Sequence, residues 1–356
     1  MTVYNKKELS DDKGRLFYFD NAKFILIFLV VLAHALSPLQ QGSKFCGVAW
    51  SVINYFHMPT LIFISGYFAK RYISSARVIK VRRVVTYIIL FAVSQICVSL
   101  FELFVLKQSF PLSLLNARSS LWFLQCLIAW YILLPILDYF KPSFILPFTF
   151  IFGLMVGYET GAANFLAISR AFVHLPFFMA GYYFKQECFQ KLSSRKFKIM
   201  AVAVIAIIIA VCAVFPETSI SKIITCNYAY KKIEALKDFP FWLNWTARLF
   251  FYVIASLLGL SFLSIVPRGK AIFTSLGSKT LSVYILHRFL YLAYLQYKWY
   301  LSFKSARGIA AVSLIALIIT ILFSVKPFTV PFDFLQKIRP EFILKSSGKG
   351  DDLKNS

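Results

Sequence analysis

Apolar runs long enough to cross a bilayer recur along this chain and constrain its fold more than any other feature. A membrane-spanning helix needs about 20 apolar residues, with a range of roughly 17 to 25. Such runs lie near residues 20–37, 48–69, 84–106, 120–140, 144–158, 165–184, 198–215, 245–266, 273–295 and 308–325, of which the fifth is short. Hydrophobic residues make up 59% of the chain, more than in a typical soluble domain. We predict an all-α, polytopic membrane helix bundle of about ten transmembrane helices.

The distribution of Lys and Arg predicts which side of the membrane each connection faces. With a cytoplasmic N-terminus, the inner segments carry 26 of the 39 Lys and Arg residues and the outer segments carry 10. Because cytoplasmic loops are the ones enriched in Lys and Arg, both termini are expected in the cytoplasm. The predicted organisation is an N-terminal tail (1–19), a transmembrane domain (20–325) and a cytoplasmic tail (326–356) that is partly disordered.

The net charge of +24 would suggest nucleic-acid binding in a soluble protein. Here the positive-inside distribution accounts for most of the excess, so we expect contact with membrane lipids and no nucleic-acid partner. The six cysteines are scattered singly, without CxxC or a metal-type spacing with histidine, and predict no metal site. A disulfide between Cys46 and Cys226, which would both face outward, remains an alternative.

The first apolar run ends with an ionisable residue where hydrocarbon is expected. His34 follows the uninterrupted apolar stretch 24–33. On an ideal helix, Lys23 lies about 20° and Asp20 about 40° from His34 around the axis, and Lys23 is roughly 16 Å away along it. Ionisable residues at this depth are costly and mark functional sites. One helix face is therefore predicted to carry a charged edge and a deep imidazole.

Each of the four histidines lies in a different predicted span, namely His34, His57, His174 and His287. Counted from the cytoplasmic ends of their spans, they lie roughly 12–20 Å deep. Arg170 precedes His174 by one turn and Arg288 follows His287. Because such groups are expected to face the bundle interior, we predict a polar chamber in mid-membrane. Taken singly, the last three histidines are equally consistent with hydrogen bonds between helices.

The second cytoplasmic connection carries six positive charges within residues 70–83. They are expected to orient the chain and attract phospholipids, and Lys80, Arg82 and Arg83 are also suited to binding the phosphates of a cofactor. The sequence contains no GxGxxG, GxxxxGK or GxSxG motif. The sequence therefore gives no support for a nucleotide hydrolase, a Rossmann-type dinucleotide-binding protein or a serine hydrolase.

A series of motifs, taken in order, resembles the acyltransferase 3 family of integral membrane O-acyltransferases, and within it the fucose O-acetylase branch. The resemblance begins with Tyr18-Phe19-Asp20-Asn21-Ala22-Lys23 leading to His34. It continues through Phe56-His57-Met58-Pro59, the basic residues 80–83, Leu121-Trp122-Phe123, Arg170 with Leu175-Pro176-Phe177, and Tyr284-Ile285-Leu286-His287. One departure is Thr86, which stands where the family often has a proline.

The resemblance implies an enzyme that moves an acetyl group from cytoplasmic acetyl-CoA to a carbohydrate hydroxyl of a cell-surface polysaccharide or its lipid-linked precursor. His34 matches the family's essential histidine and is expected to act as general base, with a covalent acyl-histidine as the less favoured variant. Lys23, Lys80, Arg82 and Arg83 would bind the CoA phosphates. Arg170 and His287 would assist catalysis, and His57, Trp122 and His174 would contact the acceptor. No metal is expected, and the site of action is the cell membrane.

Two other classes of protein remain open at this stage. A transporter or flippase also needs polar residues in mid-membrane, although no inverted repeat or broken helix is visible in the sequence. A non-catalytic assembly or sensor protein would not need four histidines at one depth. An acyltransferase is the interpretation that accounts for all of these sequence features.

Overall fold

The computed structural model describes residues 16–72, 81–108, 115–117, 119–161, 165–214 and 217–337. The described part of the chain is helical and contains no β-strand, which confirms the predicted fold class. Its α-helices, in chain order, are α1 (Phe17–Leu36), α2 (Lys44–Ala69), α3 (Val81–Phe104), α4 (Trp122–Leu137), α5 (Pro142–Met155), α6 (Ile168–Tyr183), α7 (Gln186–Leu192), α8 (Arg195–Val214), α9 (Glu217–Ile224), α10 (Trp245–Ile265), α11 (Thr280–Gln296), α12 (Ala306–Phe323) and α13 (Lys326–Lys337).

Each of the ten apolar runs coincides with one helix, namely α1 to α6, α8 and α10 to α12. Within the described residues, seven of them (α1, α2, α3, α6, α8, α10 and α12) are long and apolar enough to cross a membrane. The chain is therefore a membrane protein. Two further apolar helices, α4 and α5, are shorter, and α11 has 17 residues that include His287 and Arg288. The count of ten spans and the orientation of the termini stay predictions.

The closest packing in the bundle is between α2 and α6, and it depends on two glycines. A Cβ on Gly66 would overlap the carbonyl oxygen of Phe178, and one on Gly181 would overlap that of Phe63. Small residues allow membrane helices to approach in this way. The contact fixes α2 against α6 and so places His57 and His174 on neighbouring helices.

Helix α1 packs against α2, α11 and α12, and a buried asparagine fixes its first turn. Asn21 Nδ2 donates to the carbonyl oxygens of Pro267 and Gly269, each at 2.9 Å. Its Oδ1 accepts a hydrogen bond from Thr274 Oγ1 at 2.6 Å. Since a buried amide is costly unless it is hydrogen-bonded, this side chain holds the connection between α10 and α11 to the start of α1.

Two stretches predicted as loop or tail contain helices. Residues 217–224, between the predicted spans 198–215 and 245–266, form α9, and residues 326–337 of the expected tail form α13. Asp333 on α13 pairs with Lys279 at 2.6 Å, which ties this helix to the beginning of α11. The remainder of the tail, for which partial disorder is predicted, lies outside the described residues.

Candidate active site

Helix α1 begins with an ion pair and carries His34 three turns further along. Lys23 Nζ lies 2.8 Å from Asp20 Oδ1, and the Asp20 side chain is almost fully buried while that of Lys23 is 26% exposed. The carboxylate therefore orients the amine. The two ends of the bundle are called the Lys23 end and the Ser37 end after the residues of this helix and of the turn that follows it.

A polar chamber lies beside His34 and has a volume of about 400 Å³. The polar side chains that line it come from helices far apart in the sequence and from the loop after α9, and they include His34, Asn54, His57, Trp122, Arg170, His174, Asn227, Tyr284 and Tyr291. The four sequence-predicted residues His57, Trp122, Arg170 and His174 are thus brought together with His34. His287 is not among the residues that line this chamber.

Three of the histidines are oriented by the backbone of their own helices. The Nδ1 atoms of His57, His174 and His287 lie 2.7, 2.9 and 2.8 Å from the carbonyl oxygen four residues earlier. A carbonyl only accepts, so Nδ1 carries the hydrogen and Nε2 of the neutral ring is left as an acceptor. Among the described residues, His34 has no such bond to the carbonyl of its own helix.

Arg170 forms one wall of the chamber together with the loop after α9. Its guanidinium lies 5.0 Å from the Trp122 ring, and its Nε donates to the Thr225 carbonyl at 3.1 Å. The Trp122 ring is in turn 5.3 Å from that of His174. A cation, an indole and an imidazole therefore face the same space, a combination suited to a hydroxylated ligand.

Cys226, next to this wall, is a buried free thiol. Ser169 Oγ donates to its carbonyl at 3.0 Å, which holds the loop against α6. Burial raises the pKa of the Cys226 thiol to about 11, so it stays protonated and is not a nucleophile at neutral pH. Cys46, considered as its disulfide partner, is also buried and forms no disulfide with it.

His287 lies beside His34 but does not line the polar chamber. Its ring centroid is 5.3 Å from that of His34, and the Tyr291 ring lies 4.7 Å from His34. The Arg288 guanidinium is 4.7 Å from the Tyr291 ring. His287 therefore does not share the polar chamber with the other three histidines, although its ring lies next to that of His34.

The space beside His287 is a second cavity of about 390 Å³, called the apolar cavity. It is lined by Val31, His34, Ala35, His287, Leu290, Tyr291, Tyr294, Trp299, Ser302, Phe303, Val312, Ile315, Ala316 and Ile319. His34 and Tyr291 also line the polar chamber. These two rings therefore form the boundary between a polar and an apolar space.

A third cavity, of about 220 Å³, lies at the Lys23 end and is called the Lys23 cavity. Lys23 and Arg83 both line it, and its walls include Met58 and Tyr284, which also line the polar chamber. Through these two side chains the Lys23 cavity borders the chamber that contains His34. The basic end of the molecule and the deep imidazole thus belong to adjoining spaces.

The basic connection contributes to this third cavity through Arg83. Its guanidinium lies over the rings of Tyr72 and Tyr87 at 4.9 and 4.7 Å, and its Nε donates to Tyr87 Oη at 3.1 Å. Arg82 is exposed at the same end and does not line the cavity. Lys80 lies outside the described residues. Thr86, where the family often has proline, donates its hydroxyl to the Arg82 carbonyl at 2.8 Å inside α3.

At the Ser37 end, a polar cleft of about 370 Å³ adjoins the chamber through Ser37. The cleft is lined by Ser37, Pro38, Gln40, Gln41, Ser221, Leu295 and Tyr300. Among the described residues, no group of three or more His, Cys, Asp or Glu side chains is arranged to hold a metal ion.

Two tyrosines of the site were not predicted as functional residues. Tyr284 stands at the border of the chamber and the Lys23 cavity, and its hydroxyl donates to the Ser120 carbonyl. Tyr291 lies one helical turn after His287 and so shares its face. That spacing was a signal in the sequence, but an aromatic residue near a membrane interface is too common to single out.

The family model for an acyltransferase domain matches residues 16–325, which is most of the chain and includes every site residue described above. No curated protein and no solved structure matches this chain.

Proposed function

Since the chain belongs to the acyltransferase 3 family, we propose that it transfers an acetyl group from acetyl-CoA to a hydroxyl of a cell-surface polysaccharide or its lipid-linked precursor, in the cell membrane. The observation that carries this proposal is the position of His34. It lines a polar chamber that borders, through Met58 and Tyr284, a cavity with Lys23 and Arg83 in its wall.

The Lys23 cavity suits the donor. CoA is polyanionic, and its phosphates favour contact with the ammonium of Lys23 and the guanidinium of Arg83. Arg82 is exposed beside the same opening and adds to the positive potential, and Lys80 belongs to this basic stretch by sequence. The distribution of basic residues along the sequence supports a cytoplasmic Lys23 end, which is where acetyl-CoA would be supplied.

His34 would act as general base. It accepts the proton of the acceptor hydroxyl as the hydroxyl oxygen bonds to the thioester carbonyl carbon and the carbon–sulfur bond breaks. The proton then passes from His34 to the departing sulfur, so free CoA leaves as a thiol and the imidazole is neutral again. An imidazole suits both transfers, because its neutral ring accepts a proton through nitrogen and the imidazolium that forms can donate that proton again.

Arg170 and the other chamber residues would bind the reacting groups. The Arg170 guanidinium is the cation in the chamber wall best placed to stabilise negative charge on the carbonyl oxygen. His57, Trp122 and His174 would contact the acceptor sugar, with Nε2 of both imidazoles available to accept from hydroxyl groups. His287, whose ring is 5.3 Å from that of His34, would position that base.

The acceptor would reach the chamber from the Ser37 end. The cleft there offers amide and hydroxyl groups from Gln40, Gln41, Ser221 and Tyr300. Such groups are suited to hydrogen-bonding a carbohydrate. The resemblance of the motifs to the fucose O-acetylase branch also supports a carbohydrate acceptor.

NMR of surface polysaccharide from cells that make the wild type, His34→Ala or neither protein tests this function. We expect O-acetyl signals with the wild type and a loss of at least a hundredfold in His34→Ala, since general bases contribute 10²–10⁴-fold. Ile318→Ala, a change on the exposed face of α12, is the control at matched protein levels. Equal acetylation by wild type and His34→Ala would overturn the role of His34. No difference from cells without the protein would favour the transporter alternative.

A further inference from the structure

The apolar cavity lies next to His34, and the proposed transfer of acetyl gives no use for most of its volume. It lies between α1, α11 and α12 and the segment Trp299–Phe303, and it has nearly the volume of the polar chamber. Its rings of His34 and Tyr291 are shared with that chamber. Anything bonded to an atom held at His34 can therefore extend to either side.

The lining of this cavity is chemically unlike that of the chamber. The described residues that line it include no Lys, Arg, Asp or Glu, and away from His34 they are mainly aliphatic and aromatic. Val312 and Ala316 of α12 are 3% and 1% exposed and form part of its wall. An apolar ligand gains free energy on entering such a space, and a charged one loses it.

The geometry of the proposed reaction shows which part of the substrates would enter. The thioester carbonyl carbon carries an oxygen, the sulfur of CoA and the acyl chain. With the sulfur towards the Lys23 cavity and the acceptor hydroxyl in the polar chamber, the remaining direction at His34 is the apolar cavity. Acetyl contributes only a methyl group there, which leaves most of about 390 Å³ without a substrate atom.

We propose that the apolar cavity is an acyl-chain site, through which the protein accepts unbranched apolar acyl groups longer than acetyl, such as butyryl and octanoyl, from their CoA thioesters. This inference rests on the proposed function. Leu290, Trp299 and Ile315 in the cavity wall are 38%, 50% and 40% exposed. The far end therefore reaches the surface of the bundle, and a longer chain is not stopped by a closed floor.

The lipid anchor of an acceptor fits this cavity less well. Such an anchor is joined to its sugar through phosphate, and that anion would have to lie next to His34, where the apolar cavity offers no described Lys or Arg. A buried phosphate without a cation is strongly unfavourable. An acyl chain carries no such group between the carbonyl carbon and its methyl end.

Equilibrium binding to the full-length protein in lipid nanodiscs tests the inference. Labelled acetyl-CoA is displaced by unlabelled acetyl-CoA, butyryl-CoA or octanoyl-CoA, with empty nanodiscs as the blank. Burial of two further methylene groups should make butyryl-CoA bind about tenfold tighter than acetyl-CoA. In Ala316→Phe, whose new ring occupies the cavity, this tenfold preference should be lost while acetyl-CoA binds within about twofold of wild type.

Two further variants keep the test decisive. Val312→Phe fills the same space from another turn of α12 and replaces Ala316→Phe if that protein does not fold. Ala311→Phe adds the same ring at an exposed position of α12 outside the cavity and should keep the preference for butyryl-CoA.

Equal binding of acetyl-CoA and butyryl-CoA by the wild type would overturn the inference and leave the acetyltransferase proposal standing. The inference would also be overturned if Ala316→Phe and Val312→Phe both kept the preference for butyryl-CoA. The acyl chain would then lie outside the apolar cavity, for instance in the bilayer. Failure of every CoA thioester to bind would instead remove the donor assignment on which both proposals rest.

Discussion

The two cavities that meet at His34 are nearly equal in volume and opposite in chemistry. The polar chamber contains histidines, an arginine, amides and an indole, and such polar groups are costly in the spanning part of a membrane helix bundle. The apolar cavity is lined mainly by side chains that any membrane helix would carry. Only the polar chamber can therefore be recognised from the sequence. Patterns in the sequence therefore indicate the cavity on one side of His34 and give no sign of the cavity on the other side.

The largest effect in this comparison is expected from Arg170→Ala, which removes the cation from the chamber wall. Loss of a group that stabilises charge in the transition state lowers a rate by 10²–10³-fold. We expect transfer of labelled acetyl from acetyl-CoA to surface polysaccharide to fall about a hundredfold, with acetyl-CoA affinity nearly unchanged. Arg170→Lys should recover part of the rate.

Leu290→Ala is the matched change on the apolar side of His34. It should leave the rate of acetyl transfer within about twofold of wild type, because acetyl does not extend to Leu290. If Arg170→Ala and Leu290→Ala lowered the rate equally, the proposal that acetyl transfer depends on the polar chamber and not on the apolar cavity would be wrong.

An intermediate effect is expected in the Lys23 cavity, which joins the polar side. Lys23→Gln removes a positive charge from its wall, and one charge-assisted contact to phosphate is worth about 1.5–3 kcal/mol. The KM for acetyl-CoA should rise at least tenfold with kcat within about twofold. Steady-state kinetics in membranes measure both, and Lys23→Arg should stay near wild type.

Lys44→Gln is the control for this change, since Lys44 is exposed at the Ser37 end and does not line the cavity. A rise in KM of the same size in Lys44→Gln would mean that total charge, and not the Lys23 cavity, governs donor binding. Added salt should weaken acetyl-CoA binding by the wild type more than acetyl-CoA binding by Lys23→Gln.

An effect smaller than those of Arg170→Ala and Lys23→Gln should come from Tyr291, the ring that separates the two cavities. Tyr291→Leu keeps an apolar wall but loses the ring contact with His34 and the cation–π contact with the Arg288 guanidinium. The two contacts are together worth about 1 kcal/mol. The rate of acetyl transfer should fall about fivefold. Tyr291→Phe retains the ring and should stay within about twofold, and a larger loss there would assign a role to the hydroxyl.

Much of the fold could be predicted from local sequence patterns, whereas the contacts of some residues are visible only in the structure. The ten apolar runs predicted ten helices because apolar length is a property of contiguous residues. The alignment of Asp20, Lys23 and His34 followed from helical periodicity, and the ion pair at 2.8 Å agrees with it. Asn21, between them in the sequence, instead anchors the distant residues Pro267 and Gly269. No local pattern could reveal that role.

The sequence by itself determined the apolar helices and the basic stretches, and it predicted the depth of the histidines, since bilayer thickness and charge act on each stretch of chain separately. Only the tertiary structure decided which space each side chain enters. It divided the histidines between two cavities, with His57 and His174 on the polar side and His287 on the apolar one. That division depends on how each helix is rotated against its neighbours, which contacts such as Gly66 against Phe178 fix between residues far apart in the chain.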